Sequence, residues 1–432
     1  MSLLSTHRAR TESGHQSNAT VSFASQTNSG ERHATTCPPL RSFLVDAFRP
    51  FYLCGACFAA LAVPLWLGMW YLNYFTPSLP SLYWHAHEMV FGFAAAIIIG
   101  FLFTAARNWT GLPLPAGIPL SLLAGLWLAA RVGMLVAYGP VTAVTDSLPL
   151  VIVAGVLTRK FILARSWCSM PLVVVLSLLA FANIAFHAAA HNLVPISPLQ
   201  PVEVGLLFVV LIEMIVGGRV VPGFSANAVP GAWRWRSAWL HRGSFVLAAA
   251  AFLADSLRAP QPLTGAIALL AGATVTAQAI GWNPLAARGN PMLWILHAAY
   301  AWIPGGLVLL GLSSFGIVPR SAGIHALAVG SMGGLIIGMI TRTALGHSGR
   351  VVRAGRVEVV AFILVLLAAG LRVSASLIPP FYLVGMLAAG TAWAAAFLIY
   401  IVSYGPILLG KRSPRNQVLV PLGLHRSIGG QP

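Results

Sequence analysis

Charge is what this chain lacks. Only 8% of its 432 residues are charged, and only nine are acidic. A soluble domain carries about 25% charged residues, so the soluble globular class is excluded. Acids are also too few for a Ser-His-Asp arrangement. Cysteine is scarce: four residues make no disulfide framework. Cys54-Gly55-Ala56-Cys57 has the C-x-x-C spacing, but it lies in an apolar run with no strand–helix pattern around it. Small packing residues are the simpler reading. Short alternating segments are missing, which excludes a transmembrane barrel. Neither H-E-x-x-H, C-x-x-C-H, a Walker A loop nor G-x-G-x-x-G occurs. No apolar stretch follows the early arginines, so no signal peptide is expected.

What the chain has is apolar length. Hydrophobic residues make up 58% of it. Runs long enough to span a bilayer, each about 20 residues, lie near 51–74, 86–106, 117–138, 146–163, 168–190, 201–217, 243–258, 262–281, 291–312, 322–344, 357–376 and 380–404. They predict an all-α fold, a polytopic membrane bundle of twelve transmembrane helices over residues 46–410. Residues 1–45, polar and rich in Ser, Thr and Asn, read as a disordered tail. They include a short glycosylation-like match, Asn18-Ala19-Thr20. Residues 411–432 form a second tail. The segment 218–242 reads as the longest inner loop, in which Trp233-Arg234-Trp235-Arg236 marks either a short interfacial helix or, the simpler reading, plain snorkelling anchors at headgroup level.

The net charge of +17 does not point to nucleic acid, because the basic residues sit in loops and tails. Arg107, then Arg159, Lys160 and Arg165, then Arg219, Arg234, Arg236 and Arg242, then Arg288, then Arg350, Arg353 and Arg356 fall in or beside alternate loops. Lys411, Arg412 and Arg415 follow in the C-terminal tail. Positive charge gathers on the cytoplasmic side, which predicts both termini inside.

Ionisable groups in apolar runs are functional candidates, since lipid makes them costly. Trp84-His85-Ala86-His87-Glu88-Met89 opens the second run. His187 and His191 close the fifth with i,i+4 spacing, which shares a helix face. His325 opens the tenth. The expected topology puts all five histidines at the outer end, with Glu203 nearby. A second set lies toward the cytoplasm: His297, about 9 Å into the ninth span at 1.5 Å per residue, His347, His241, Glu213, Arg219 and Arg342. Imidazole suits haem iron, copper, zinc and nickel, and bundle cores are where such sites are built. Proton relay and plain hydrogen bonding are the other uses of neutral histidine. His85 and His87 point to nearly opposite sides of a regular helix, so at most one should join a given metal. Arg131 and Arg342 fall in or at the edge of apolar runs, where snorkelling and haem-propionate pairing are both open.

Several blocks then resemble one family, NnrS. They are Phe48-Arg49-Pro50-Phe51-Tyr52, the Trp84 to Phe93 run, Asn108-Trp109-Thr110-Gly111, Gly217-Gly218-Arg219-Val220-Val221-Pro222, Leu293 to Trp302, His325 to Gly333 and Thr341 to Arg350. The resemblance implies a bacterial inner-membrane protein containing haem and copper. It also implies a link to denitrification, nitrosative stress and nitric oxide or nitrosyl-iron species. Which histidine holds which metal does not follow from the motifs. A transporter that uses the intramembrane histidines as a metal or small-anion pathway is the alternative. A haem-copper oxidase subunit would show a His-Pro-Glu block and a His-His pair, and this chain has neither.

Overall fold

In lipid a long apolar run satisfies its own backbone only as a helix. The computed structural model, which describes residues 43–72 and 77–411, has twelve such helices among those residues and no strand. They are α1 (Phe48–Tyr71), α2 (Ser81–Thr110), α3 (Ile118–Val136), α4 (Pro140–Leu163), α5 (Trp167–Ala190), α6 (Leu199–Ala228), α7 (Ala238–Ser256), α8 (Gln261–Gly281), α9 (Pro291–Ser314), α10 (Arg320–His347), α11 (Arg356–Leu377) and α12 (Pro379–Leu409). All except α7 are long and apolar enough to cross a membrane. Nearly all of both expected tails, and Asn18-Ala19-Thr20, lie outside the described residues.

Short connections make sequential helices antiparallel neighbours. The end at which even-numbered helices begin is called the top here. α12 packs along α1 and α11; α5 lies between α4 and α6; α8 lies between α7 and α9. The interior belongs to α2, α6 and α10, whose apolar windows are 83, 72 and 67% buried.

Two expectations need correction. The loop expected at 218–242 is mostly helix: α6 runs on to Ala228 through Gly217, Gly218 and Pro222. Those residues read as stops, but membrane helices tolerate them when neighbours satisfy the freed backbone groups. The remaining loop, 229–237, contains no helix. The fourth span begins at Pro140 rather than 146, with proline at the first helical turn, where its missing N–H costs nothing. Asp146 therefore lies nearly two turns inside a helix.

Two stretches wind wider than an α-helix. Glu88–Ala94 and Ala326–Gly333 are π-helical, and each begins directly after a histidine of interest, His87 or His325. Such stretches are frequent at functional sites. Cys54, Cys57 and Cys168 are free thiols.

Candidate metal centre and the adjoining cavity

At the top of the bundle, four helices bring polar groups into one fully buried cluster. α2 supplies His87 and Glu88, α3 Arg131, α4 Asp146, and α5 Asn183 and His187. All are at most 5% exposed. Arg131 Nη1 donates to Glu88 Oε1 at 2.7 Å, and its other terminal nitrogen pairs with Asp146 Oδ1. His187 Nε2 lies 2.9 Å from Asp146 Oδ2, and His87 Nε2 lies 3.1 Å from the same oxygen. The His87 and His187 rings are 5.4 Å apart.

Counting protons shows why the cluster suits a cation. His87 Nδ1 faces Glu88 Oε1 at 3.1 Å, and His87 Nε2 faces Asn183 Oδ1 at 2.9 Å. Both oxygens are acceptors, and neutral imidazole has one N–H. Asn183 is held in that orientation because its Nδ2 donates to Asp146 Oδ2 at 2.9 Å. With Nδ1–H on Glu88, the lone pair of Nε2 faces oxygen lone pairs. A cation there meets His87 Nε2, His187 Nε2 and Asp146 Oδ2 together; one ligand atom from each residue lies within 4.8 Å of the others. Metal–nitrogen bonds of about 2.0–2.1 Å at right angles set ligand atoms about 3 Å apart. The charges agree: two carboxylates against one guanidinium leave one negative charge when the imidazoles are neutral.

Outer partners fix the ligands. Tyr138, in the α3–α4 loop, lies 3.2 Å from His187 Nδ1 through its hydroxyl. Burial pushes the Tyr138 phenol up to about 12, so it keeps its proton. Its ring stacks on His191 at 5.0 Å and 11°. Gly92 has a steric reason: a Cβ there would stand 2.5 Å from Arg131 Nη1.

His85, two residues before His87, faces elsewhere. It lines a cavity of about 290 Å³ together with His325, at the lower edge of the range for small-molecule sites. The His85 ring stacks on Trp66 at 4.1 Å and 19°, and its Nδ1 is buried without a partner. His325 Nδ1–H donates to Ser321 O at 2.7 Å, which leaves its Nε2 lone pair available. A backbone carbonyl that fixes one nitrogen is the usual support for a ligating histidine. Met89, Met332 and Met386 give the cavity soft apolar walls, and Arg372 and Arg320 stand on it. Arg372 donates to Ser376 Oγ at 2.7 Å and has no carboxylate partner among the described residues. Arg320 binds Glu203 and Asp255 at 2.7 and 2.6 Å, tying α10 to α6 and α7.

A family model described as NnrS protein matches residues 42–412. The chain belongs to the NnrS family. No curated protein matches it. In this NnrS chain the inner residues have different neighbours. His297 Nε2 pairs with Ser225 Oγ at 2.9 Å, while His347 packs 5.5 Å from Phe48. Arg342 lies over the Phe224 ring at 3.8 Å, and Arg219 donates to Cys168 O at 2.6 Å. Glu213 Oε2 lies 2.7 Å from Ser331 Oγ, and its Oε1 is buried without a partner.

Sequence reasoning missed Asp146 and Asn183 altogether. Asp146 carried a signal, as the one acid of an apolar run. Asn183 lies one turn before His187 on the same face. Tyr138 carried none.

Proposed function

We propose that this NnrS protein is a haem- and metal-binding protein of the bacterial inner membrane, acting in the response to nitric oxide, with both termini cytoplasmic. The observation that carries the reading is the convergence of His87, Asp146 and His187 around an acceptor-rich, negatively charged point. Nitrogen and oxygen donors without thiolate suit copper(II), and zinc or iron on the same chemistry. The lining of the His85–His325 cavity suits the haem that the family resemblance implies: it holds two imidazoles with unpartnered nitrogens, apolar walls and the cation of Arg372 for a carboxylate. A bound haem would supply an iron centre able to take a small diatomic ligand or an electron.

The chain's own residues have separable tasks in this reading. Glu88 and Tyr138 orient His87 and His187, Asn183 holds Asp146, and Arg131 balances the two carboxylates. Trp66 fixes the plane of His85. The apolar helices keep bulk water from both places, and nitric oxide, small and neutral, crosses such surroundings readily. The test is an optical spectrum with metal analysis on protein purified in detergent. Expected are a Soret band that His85→Ala and His325→Ala each abolish, and a second metal that His187→Ala abolishes while the Soret band stays. Wild-type protein with neither signal overturns the reading and returns the histidines to a transport pathway.

A further inference from the structure

At the opposite end of the bundle lies a cavity, with several polar groups on its wall, that belongs neither to the His87–Asp146–His187 cluster nor to the His85–His325 cavity. It measures about 400 Å³ and sits among α6, α7 and α8. Gly218, Trp235, Arg236, Ser237, His241 and Gln278 are on its wall. No Asp or Glu lines it. We propose that it binds an anionic phosphate group.

The cavity is built rather than left over. His241 rests on bare backbone: a Cβ at Gly218 would meet its Cε1 at 2.4 Å. Trp235 rests on Gly281 in the same way, where a Cβ would meet the Trp235 carbonyl oxygen at 2.6 Å. Trp235 N–H donates to Gly281 O at 2.8 Å, which pins the loop to the end of α8. This gives Gly217-Gly218-Arg219 a use: the second glycine admits the imidazole.

The donors converge. Ser237 caps α7, its Oγ accepting from Leu240 N–H at 3.2 Å and its carbonyl from His241 N–H at 3.0 Å. The N–H groups of Ala238 and Trp239 in that first turn have no intrahelical acceptor, and a helix start favours an anion. Arg236 has no carboxylate partner among the described residues. Independently of the helix end, Gln278 is 5% exposed, its Nε2 meets His241 Nδ1 at 2.8 Å, and its Oε1 is buried without a partner. Oxygen and nitrogen of such an amide interchange with the network. With Oε1 turned to His241 Nδ1–H, the amide NH₂ becomes one more donor for a phosphate oxygen. A tetrahedral anion with several acceptor oxygens meets arginine, helix N–H and one donor from the His241–Gln278 pair, the amide when Nδ1 carries the imidazole proton and the imidazole when Nε2 does; a carboxylate or halide meets fewer of them.

The phosphate has two sources, a phospholipid headgroup or the free ion. Trp235 on the cavity wall is 48% exposed, and Trp233 and Trp239, two residues before the wall and in the first turn of α7, are 67 and 83% exposed, as rings at headgroup level are. The test uses full-length protein in detergent and follows its unfolding midpoint. Phosphatidylglycerol, a diacylglycerol with the same chains, and inorganic phosphate are titrated separately. Saturable stabilisation by phosphatidylglycerol and not by diacylglycerol is expected. Arg236→Gln weakens it about tenfold, the scale of one charge-assisted hydrogen bond, and Gln278→Leu weakens it too. Equal stabilisation by inorganic phosphate supports the site with the free ion as its source. Arg236, on an exposed loop, tests the site without threatening the fold. Equal stabilisation by diacylglycerol, or unchanged phosphatidylglycerol affinity in both variants, overturns the proposal.

Discussion

Asp146 is the residue on which the candidate metal centre turns. Its Oδ2 faces two imidazoles while its Oδ1 pairs with Arg131. Asp146→Asn keeps the shape and removes the charge, so the cluster falls from one net negative charge to none. We expect copper or zinc content, measured by mass spectrometry on purified protein, to fall to background, while the Soret band persists. Breaking a buried ion pair costs about 3–5 kcal/mol, so a lower unfolding midpoint is expected as well; unchanged metal content sinks the ligand role. Much of this site was legible before folding. An imidazole or carboxylate in an apolar run is expensive wherever the helix packs, so His85, His87, His187, His325 and Glu88 stood out singly. Asp146 escaped because Pro140 reads as loop, which moved the start of its helix onto it. Asn183 and Tyr138 are ordinary neutral residues, and their roles exist only once α4 packs on α5. The separation of His85 from His87 followed from helical geometry alone.

At the scale of elements, the wide turns of α2 and α10 are what apolar periodicity could not reveal. A hydrophobic run has the same composition whether its hydrogen bonds skip four residues or five. Within the wide turn of α2 the Gly92 carbonyl accepts from Trp127 Nε1–H at 3.0 Å, and Gly92 itself admits Arg131. Gly92→Ala forces the guanidinium aside, with a cost of about 1–3 kcal/mol for overpacking. Lower metal occupancy with an intact Soret band is the expected result, read from the same two assays; full occupancy would show that the close approach is incidental. In α10, Ser331 has one hydroxyl proton for two acceptors, Leu327 O at 2.9 Å and Glu213 Oε2 at 2.7 Å. The count closes when Glu213 carries a proton, donating to Ser331 while Ser331 donates to Leu327. Infrared spectra at neutral pH then contain a carboxyl C=O band that Glu213→Gln removes. Spectra of wild type and variant without that difference would place the missing proton elsewhere.

For the whole molecule, the interior is laid out by three helices. α2, α6 and α10 are the most buried, and all three line the His85–His325 cavity. The twelve-helix order was legible because every apolar run had its own pair of polar ends. The weakest member is α7, with 19 residues and with His241, Arg242 and Asp255 on it. It is as long as α3 but less apolar than the other eleven, and it packs along α8 and against α6. Its end is tied to the top by Asp255 and Arg320, while its start lines the bottom cavity. An element joined to both ends of the bundle crosses it. The count decides the sidedness of everything that follows: twelve crossings return Lys411 to the side of Phe48, and eleven would not. Arginine and lysine crowd the bottom connections, so the bottom is expected to be cytoplasmic. Reporter fusions after Arg165 and after Pro195 are expected on opposite sides, cytoplasmic and periplasmic. A fusion after Arg258 should match Pro195, and one after Lys411 should match Arg165. If the fusion after Arg258 is cytoplasmic, α7 does not cross, and the two ends of the chain lie on different sides of the membrane.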